Sequence, residues 1–248
     1  VGRNTMVDKI PGVGIGVPHS WLARVVANTG QLGDSNEVRA TLRKLLGDPK
    51  PQEVDLDSIP PEIAALFAQS GTLQKIRKRL ESITKKPAKR LAAMRGRVAC
   101  VDEDDVVYVG VDFLEKHKNH EDLLASVMAH EWGHLVATLP DEEELSKLGY
   151  EELLELRRDE EAGADAFAGR VLYLMGYSVE DMIQFLKNLE KIEKKIVSKK
   201  YHPVDIREAI LKEAFAAQKR NEETARKLLV TARLGFSHAL KSRLIGEG

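Results

Sequence analysis

The stretch His130-Glu131-Trp132-Gly133-His134 decides the fold around it, because it joins two histidines and a carboxylate at helical spacing. Residues four apart on an α-helix are separated by about 40° around the axis, so His130 and His134 can bind one metal ion from successive turns. Glu131 lies about 60° from His134, where it can deprotonate a metal-bound water. The pattern predicts a metal-binding helix with its own general base. The alternative is a surface helix with no such site, since H-E-x-x-H also occurs by chance.

The residues before the motif, Glu121 to Ala129, fit the first turns of the same helix. Glu121 and Asp122 occupy the first turn, where the helix dipole favours negative charge. Four apolar side chains then follow the spacing of a buried stripe: Leu123, Leu124, Val127 and Met128. The sequence therefore predicts that this helix packs against a core.

A catalytic zinc site needs a third protein ligand and leaves its fourth position to water. The segment Glu160 to Asp165 offers that ligand, on a predicted second helix that ends near Gly176. Glu161 and Asp165 share a helical face, so one can bind the metal while the other accepts the free N–H of a ligand histidine. Glu160 points about 100° away from Glu161 and would leave Asp165 off the metal face, so we exclude it as the ligand and expect its removal to be nearly silent.

These motifs resemble the gluzincin metallopeptidases of the HtpX and CAAX prenyl protease type, in which H-E-x-x-H is followed by E-x-x-A-D. The segment Val106 to Val111 resembles the edge strand that aligns the substrate in that family. The segment Tyr201 to Arg207 resembles the family's H-P segment, with an arginine four residues after the proline. The resemblance covers residues Arg97 to Leu211, a little under half of the chain.

The resemblance implies a peptidase that binds one Zn²⁺ per chain through His130, His134 and Glu161. Glu131 would be the general base, taking a proton from the water and delivering it to the leaving amine. Asp165 would hold a ligand histidine through its second ring nitrogen.

Two further roles follow from the H-P segment. His202 is the expected donor to the oxyanion that develops on the substrate, Tyr201 is the second candidate, and helix capping is the alternative role for His202. Arg207 is expected to anchor Asp165 or another carboxylate rather than to contact substrate.

Composition limits the classes of protein that fit. The chain has 248 residues, a net charge of −1, 31% charged and 5% aromatic residues, which favours a helix-rich protein with a charged surface. Its single cysteine, Cys100, excludes an internal disulfide and fits a small buried strand residue, with a zinc-blocking thiol as the alternative. No stretch reaches the roughly 18–20 apolar residues that span a bilayer, unlike integral-membrane members of the family. We expect a cytoplasmic protein, or a periplasmic one if a leader has been removed.

The predicted fold class is α+β, mostly helical, with a zincin-like catalytic core. Strands at Arg97 to Asp102 and Asp105 to Val111 are expected to form a hairpin, part of a small antiparallel sheet behind the H-E-x-x-H helix. Residues 96–248 would form the metallopeptidase domain. Residues 1–95 would form a helical N-terminal segment that covers or regulates it.

A basic run raises the question of nucleic-acid binding. Ten Lys or Arg lie between Lys75 and Arg97 against one acid, Glu81. The run lacks the interleaved aromatic residues that stack on bases, and acidic patches follow it. We therefore expect a solvated or internally paired helix face, and keep a nucleic-acid-associated protease or regulator as an alternative.

The expected function is a zinc-dependent endopeptidase that hydrolyses extended or unfolded polypeptides, in the setting of protein quality control. Latency is a further expectation, because either residues 1–95 or an inward swing of His202 onto the fourth zinc position could block the site. The remaining alternative is a zinc-stabilised interaction module without turnover. Glu131 argues against such a module, because a structural zinc site has no use for a base beside the metal.

Overall fold

The computed structural model describes residues 35–46, 48–137, 140–192 and 199–245, so residues 1–34 of the predicted N-terminal segment lie outside the described part. The helices are α1 Ser35–Leu45, α2 Pro61–Phe67, α3 Thr72–Thr84, α4 Val111–His117, α5 Glu121–Val136, α6 Glu142–Ser146, α7 Tyr150–Met175, α8 Glu180–Ile192 and α9 Val204–Ile245. The strands are β1 Glu53–Val54, β2 Arg90–Met94, β3 Ala99–Val101 and β4 Val106–Gly110. This mostly helical structure with one small sheet confirms the α+β class.

The sheet is mixed, with strand order β1-β2-β4-β3, and the prediction of an antiparallel sheet was wrong. β2 runs parallel to β4, whereas β1 and β3 pair antiparallel to their neighbours. The parallel strand lies in the basic run that was expected to be helical. Helix α3 ends at Thr84, followed by Lys85 in the left-handed conformation, and the four apolar residues 91–94 are then buried in β2. A short continuous apolar run of this kind is typical of a strand covered on both faces.

The predicted hairpin is present, but β4 lies in the centre of the sheet and β3 forms its edge. The expectation that residues 106–111 form the edge strand was therefore wrong. In the hairpin, Gly110 N donates to Val98 O at 2.8 Å and Asp102 N donates to Val106 O at 3.1 Å. Along an antiparallel strand, residues whose N–H and C=O groups bond the partner strand alternate with residues whose N–H and C=O groups point away from it. Val98 and Asp102 bond β4, so the backbone groups of Ala99 and Val101 point away from β4. These two residues form the open edge of the sheet.

The basic run is largely paired within the protein, which supports the internally paired interpretation. Its members are divided among α3, β2 and the loops beside them rather than along one helix face. Side chains of the run with a protein partner are Arg77, Arg79, Lys86, Lys89, Arg90, Arg95 and Arg97.

Helix α5 passes through the middle of the core. Every residue from Leu123 to Leu135 is buried, so the helix is enclosed on all sides and not along one stripe. Trp132 is fully buried and its Nε1 donates to Thr84 Oγ1 and Lys86 O, both at 3.3 Å. The core around α5 includes side chains from α2, α3 and β2, so residues on both sides of the predicted boundary at residue 95 share it.

A second, smaller apolar cluster lies where α1 packs on α6 and on the first turns of α7. Its buried members are all leucines: Leu42, Leu46, Leu145, Leu153, Leu154 and Leu156. This cluster fixes the position of α1 relative to the helix that carries Glu161. Among the described helices, none combines the length and the apolar character that crossing a membrane requires.

Candidate metal centre

The site forms where α5 crosses α7. A Cβ atom at Gly133 would lie 2.6 Å from the Cα of Ala164, so the two helices touch here only because residue 133 is glycine. Glu161 and Asp165 lie on either side of Ala164 along α7, and the crossing places both against the histidines of α5. The glycine inside the H-E-x-x-H motif is therefore what allows the third ligand to reach the first two.

His130, His134 and Glu161 form one buried group that could hold a metal ion. His130 Nε2 lies 3.2 Å from His134 Nε2 and 3.1 Å from Glu161 Oε2, and His134 Nε2 lies 3.7 Å from Glu161 Oε1. A tetrahedral site with bonds of about 2.0–2.1 Å separates its ligand atoms by about 3.3 Å. The spacing of the three donors therefore fits one ion with a small coordination sphere.

Each histidine has its own carboxylate on the other ring nitrogen. Asp165 Oδ1 lies 2.9 Å from His130 Nδ1, as the sequence predicted. Glu160 Oε1 lies 3.0 Å from His134 Nδ1; Glu160 is outside the three-residue ligand group, but it holds a ligand histidine, a role that the sequence did not predict. Adjacent glutamates can both serve because Glu160 contacts the outer ring nitrogen of His134, whereas Glu161 lies near the Nε2 atoms of both histidines. When Nδ1 donates to a carboxylate, Nε2 keeps its lone pair, so both lone pairs face the centre of the group.

Two arginines hold the carboxylates in place. Arg207 binds Asp165 through two nitrogens, Nε to Oδ2 at 2.7 Å and Nη2 to Oδ1 at 2.9 Å, which is the predicted anchoring contact. Arg157 bridges the two glutamates, with Nη1 at 2.5 Å from Glu160 Oε2 and Nη2 at 2.9 Å from Glu161 Oε1. Such charge-assisted pairs fix the orientation of a carboxylate as well as its charge.

The arginines keep three of the buried acids ionised. Burial raises the pKa of Glu160, but the Arg157 guanidinium and His134 outweigh it and lower the pKa to about 2. Burial opposes ionisation of Glu161 too, yet Arg157 and His134 hold its pKa well below the usual range. For Asp165, burial is outweighed by Arg207, and its pKa is also lowered.

The histidines gain protons from the same surroundings. Burial lowers the pKa of His130, but hydrogen bonds with Asp165 and Glu161 outweigh it and raise the pKa to about 9. In the same way Glu161 and Glu160 overcome the effect of burial at His134 and raise its pKa to about 10. Without a metal, protons therefore take the place of a cation between these groups.

Glu131 is buried beside the ligands and makes none of the pairings described for the other three acids. Burial raises its pKa, and the positive charges of His134 and His130 work against that rise. A buried carboxylate with a raised pKa beside a possible metal group is the kind of residue that can exchange a proton with a bound water.

The charges of the site fit a divalent cation. Three ionised carboxylates face two arginines, which leaves one net negative charge, and Glu131 adds a second when it ionises. Two imidazole nitrogens and a carboxylate oxygen are donors that suit zinc. The residues present therefore fit the predicted metal.

Tyr201 and His202 lie beside the same arginine. Tyr201 is 40% exposed, its ring centroid lies 5.3 Å from Arg207 Cζ, and the charge of Glu161 together with burial raises the pKa of its hydroxyl. His202 is not part of the ligand group found among the described residues. Burial and the nearby Arg158 lower its pKa, and its other charged neighbours are Asp165 and Arg207. The two residues differ in the charges that act on them: Glu161 of the ligand group acts most strongly on Tyr201, whereas Arg158, Asp165 and Arg207 act on His202.

Cys100 of the edge strand is packed in the sheet. Its thiol lies 3.6 Å from Met94 Sδ, and burial together with the charge of Glu131 raises its pKa to about 12. A thiol that keeps its proton is a poor metal ligand. These observations favour the small buried strand residue over the zinc-blocking thiol.

Sequence reasoning missed Glu160 as a histidine partner and missed Arg157 altogether. The signal for Arg157 was present, because it precedes Glu160 and Glu161 by three and four residues, the spacing of ion pairs along a helix. No family model matches the chain, and no curated protein matches it, so its function is argued from the geometry above.

Proposed function

We propose that this protein is a zinc-dependent endopeptidase that acts on extended or unfolded polypeptides. One observation carries the proposal: Glu131 is buried, with a raised pKa, directly beside the three convergent donors of His130, His134 and Glu161. A purely structural zinc site fills four positions with protein ligands and has no use for such a base.

Zinc is the metal of choice because the donors are two neutral imidazoles and one carboxylate. Bound there, it would supply Lewis acidity, lowering the pKa of water and polarising a carbonyl. Asp165 and Glu160 would orient the two imidazoles, and Arg157 and Arg207 would hold those acids.

The protein's own groups supply the proton transfers. Glu131 would accept a proton from the attacking water and deliver it to the nitrogen of the leaving amine. Tyr201, rather than His202, would donate a hydrogen bond to the developing oxyanion, because Glu161 of the ligand group is the charge that acts most strongly on its hydroxyl. The open edge at Ala99 and Val101 would bind the backbone of an extended substrate, with little preference for its side chains.

The test is digestion of unfolded β-casein by the zinc-loaded chain, with and without a chelator. We expect fragments only when zinc is bound. Glu131→Gln should keep one zinc per chain and the same thermal stability but lose nearly all cleavage, because it removes the proton acceptor and no ligand. If this variant, shown by metal analysis to hold zinc, still cleaved at the wild-type rate, Glu131 would not be the base.

A further inference from the structure

No described strand pairs with the outer edge of β3, but a segment from the end of α1 contacts this edge. We call this segment the strap; it comprises residues 43–46 and 48–50. Arg43 Nη2 donates to Val101 O at 2.9 Å, and Arg43 also forms an ion pair with Glu103. Val101 O is one of the outward carbonyls that an added strand would use. Arg43 therefore occupies Val101 O, the carbonyl that would accept a hydrogen bond from the backbone of an extended substrate.

Two more contacts hold the strap along the same side of the sheet. Lys50 Nζ lies 2.7 Å from Glu103 Oε1, so this acid binds both ends of the strap. Arg97 Nη2 donates to Pro49 O at 3.2 Å. The strap thus follows the hairpin of β3 from Arg97 to Glu103.

The strap also contacts the segment that carries Tyr201. Lys200 Nζ donates to Leu46 O at 3.2 Å and forms an ion pair with Asp48. Lys200 directly precedes Tyr201, whose ring packs on Arg207, the arginine that holds Asp165. One short segment therefore connects the edge strand, where a substrate backbone would bind, with the loop that carries the proposed oxyanion donor.

The nature of these contacts suits a cover that can be displaced. The end of α1 is held by apolar packing through Leu42 and Leu46. The ion pairs of Arg43 and Asp48 are instead between side chains that are 13–25% exposed, and they lie outside the main hydrophobic core. Releasing them would not require the main core to open.

We infer that the strap excludes extended polypeptides from the edge of β3, so that the protein is latent until the strap is displaced. This inference rests on the proposed function, since it assigns the edge to substrate. It locates the blocking element at the strap rather than at His202, which lies outside the ligand group.

The test compares the full chain with a double variant, Arg43→Met with Asp48→Asn, which removes one ion pair on each side. Thr41→Val is the matched control, because Thr41 lies on α1 but donates to Glu142 Oε1 of α6, at 2.7 Å, away from the edge strand. Hydrogen exchange of segments 48–50 and 98–101 reports whether the strap is released. Binding of fluorescein-labelled β-casein is measured in chains that also carry Glu131→Gln, so that binding is read without cleavage.

We expect faster exchange of both segments and about tenfold tighter β-casein binding in the double variant, because the fraction of chains open to substrate rises. Hydrolysis by the zinc-loaded double variant with Glu131 intact should rise by a similar factor, and Thr41→Val should match the wild type. Faster exchange without tighter binding would overturn the inference, as would exchange that the double variant leaves unchanged. Tighter binding with no hydrolysis would support the strap and contradict the peptidase proposal.

Discussion

The side chains that position the candidate ligands are each held by a specific partner. His130 is oriented by Asp165 and His134 by Glu160, and both acids are fixed by an arginine. The consequence is that a residue which binds no metal can still control metal affinity.

Glu160 provides the sharpest test of this arrangement. Glu160→Ala should lower zinc affinity by about 10–100-fold, because His134 loses the acceptor that fixes its ring. Glu161→Ala should lower it further, because it removes a ligand, and Glu151→Ala, an exposed change on the same helix, should have no effect. Zinc affinity is measured by competition with a chromogenic chelator. A wild-type affinity in Glu160→Ala would restore the sequence-based view that this residue is silent.

Tyr201 and His202 can be separated by kinetics. Tyr201→Phe should reduce kcat by about 100-fold or more at unchanged zinc content, since it removes one donor to the developing oxyanion. His202→Ala should have a much smaller effect on kcat, because the charges that act on His202 are those of Arg158, Asp165 and Arg207 and not that of the ligand Glu161. The reverse order of effects would return the donor role to His202.

At the level of helices and strands, some of the structure follows from local spacing and some does not. The spacing of residues 130–134 was sufficient to predict that the two histidines share a helical face. The four-residue spacing of Glu161 and Asp165 was sufficient to predict the same for these two acids. The partner of His134 could not be predicted, because it depends on how α7 crosses α5. The edge strand was misassigned for a similar reason: β2 lies in a basic run, and its pairing beside β4 is a long-range contact that periodicity does not encode.

The crossing of α5 and α7 predicts opposite effects on stability for alanine substitutions at two glycines, Gly133 on α5 and Gly163 on α7. Gly133→Ala should destabilise the protein by about 1–3 kcal/mol and weaken zinc binding, because the new methyl group would overlap the backbone at Ala164. Gly163→Ala, at an exposed position with no atom within 4 Å of the new methyl, should stabilise α7 by up to about 1 kcal/mol. Urea unfolding measures both changes, and equal effects would show that the crossing is not tight.

For the whole molecule, the ionisation of the site links stability to pH. The pKa values of His130 and His134 are raised to about 9 and about 10, above the usual value of 6.5. Their contribution to the free energy of unfolding of the metal-free protein is therefore complete below pH 6.5 and is lost as the pH rises through about 9 to 10.

We expect the Tm of the metal-free protein to fall between pH 7 and 10, since buried acids then lose their positive partners. The zinc-loaded protein should resist this fall, because the cation replaces the protons. Thermal unfolding across this pH range, before and after removal of zinc, measures the difference. Parallel curves for the two forms would show that the histidines do not carry these protons.

The strap has a consequence for the exchange of the metal itself. The three ligands come from the middle of two helices in close contact, so an ion cannot leave by the opening of a ligand-bearing loop. The strap contacts the edge strand through Arg43 and the segment before Tyr201 through Lys200. A cover that excludes polypeptides there would also slow the arrival of a chelator. The rate of zinc release would then depend on how often the strap opens rather than on how tightly the ligands bind the ion.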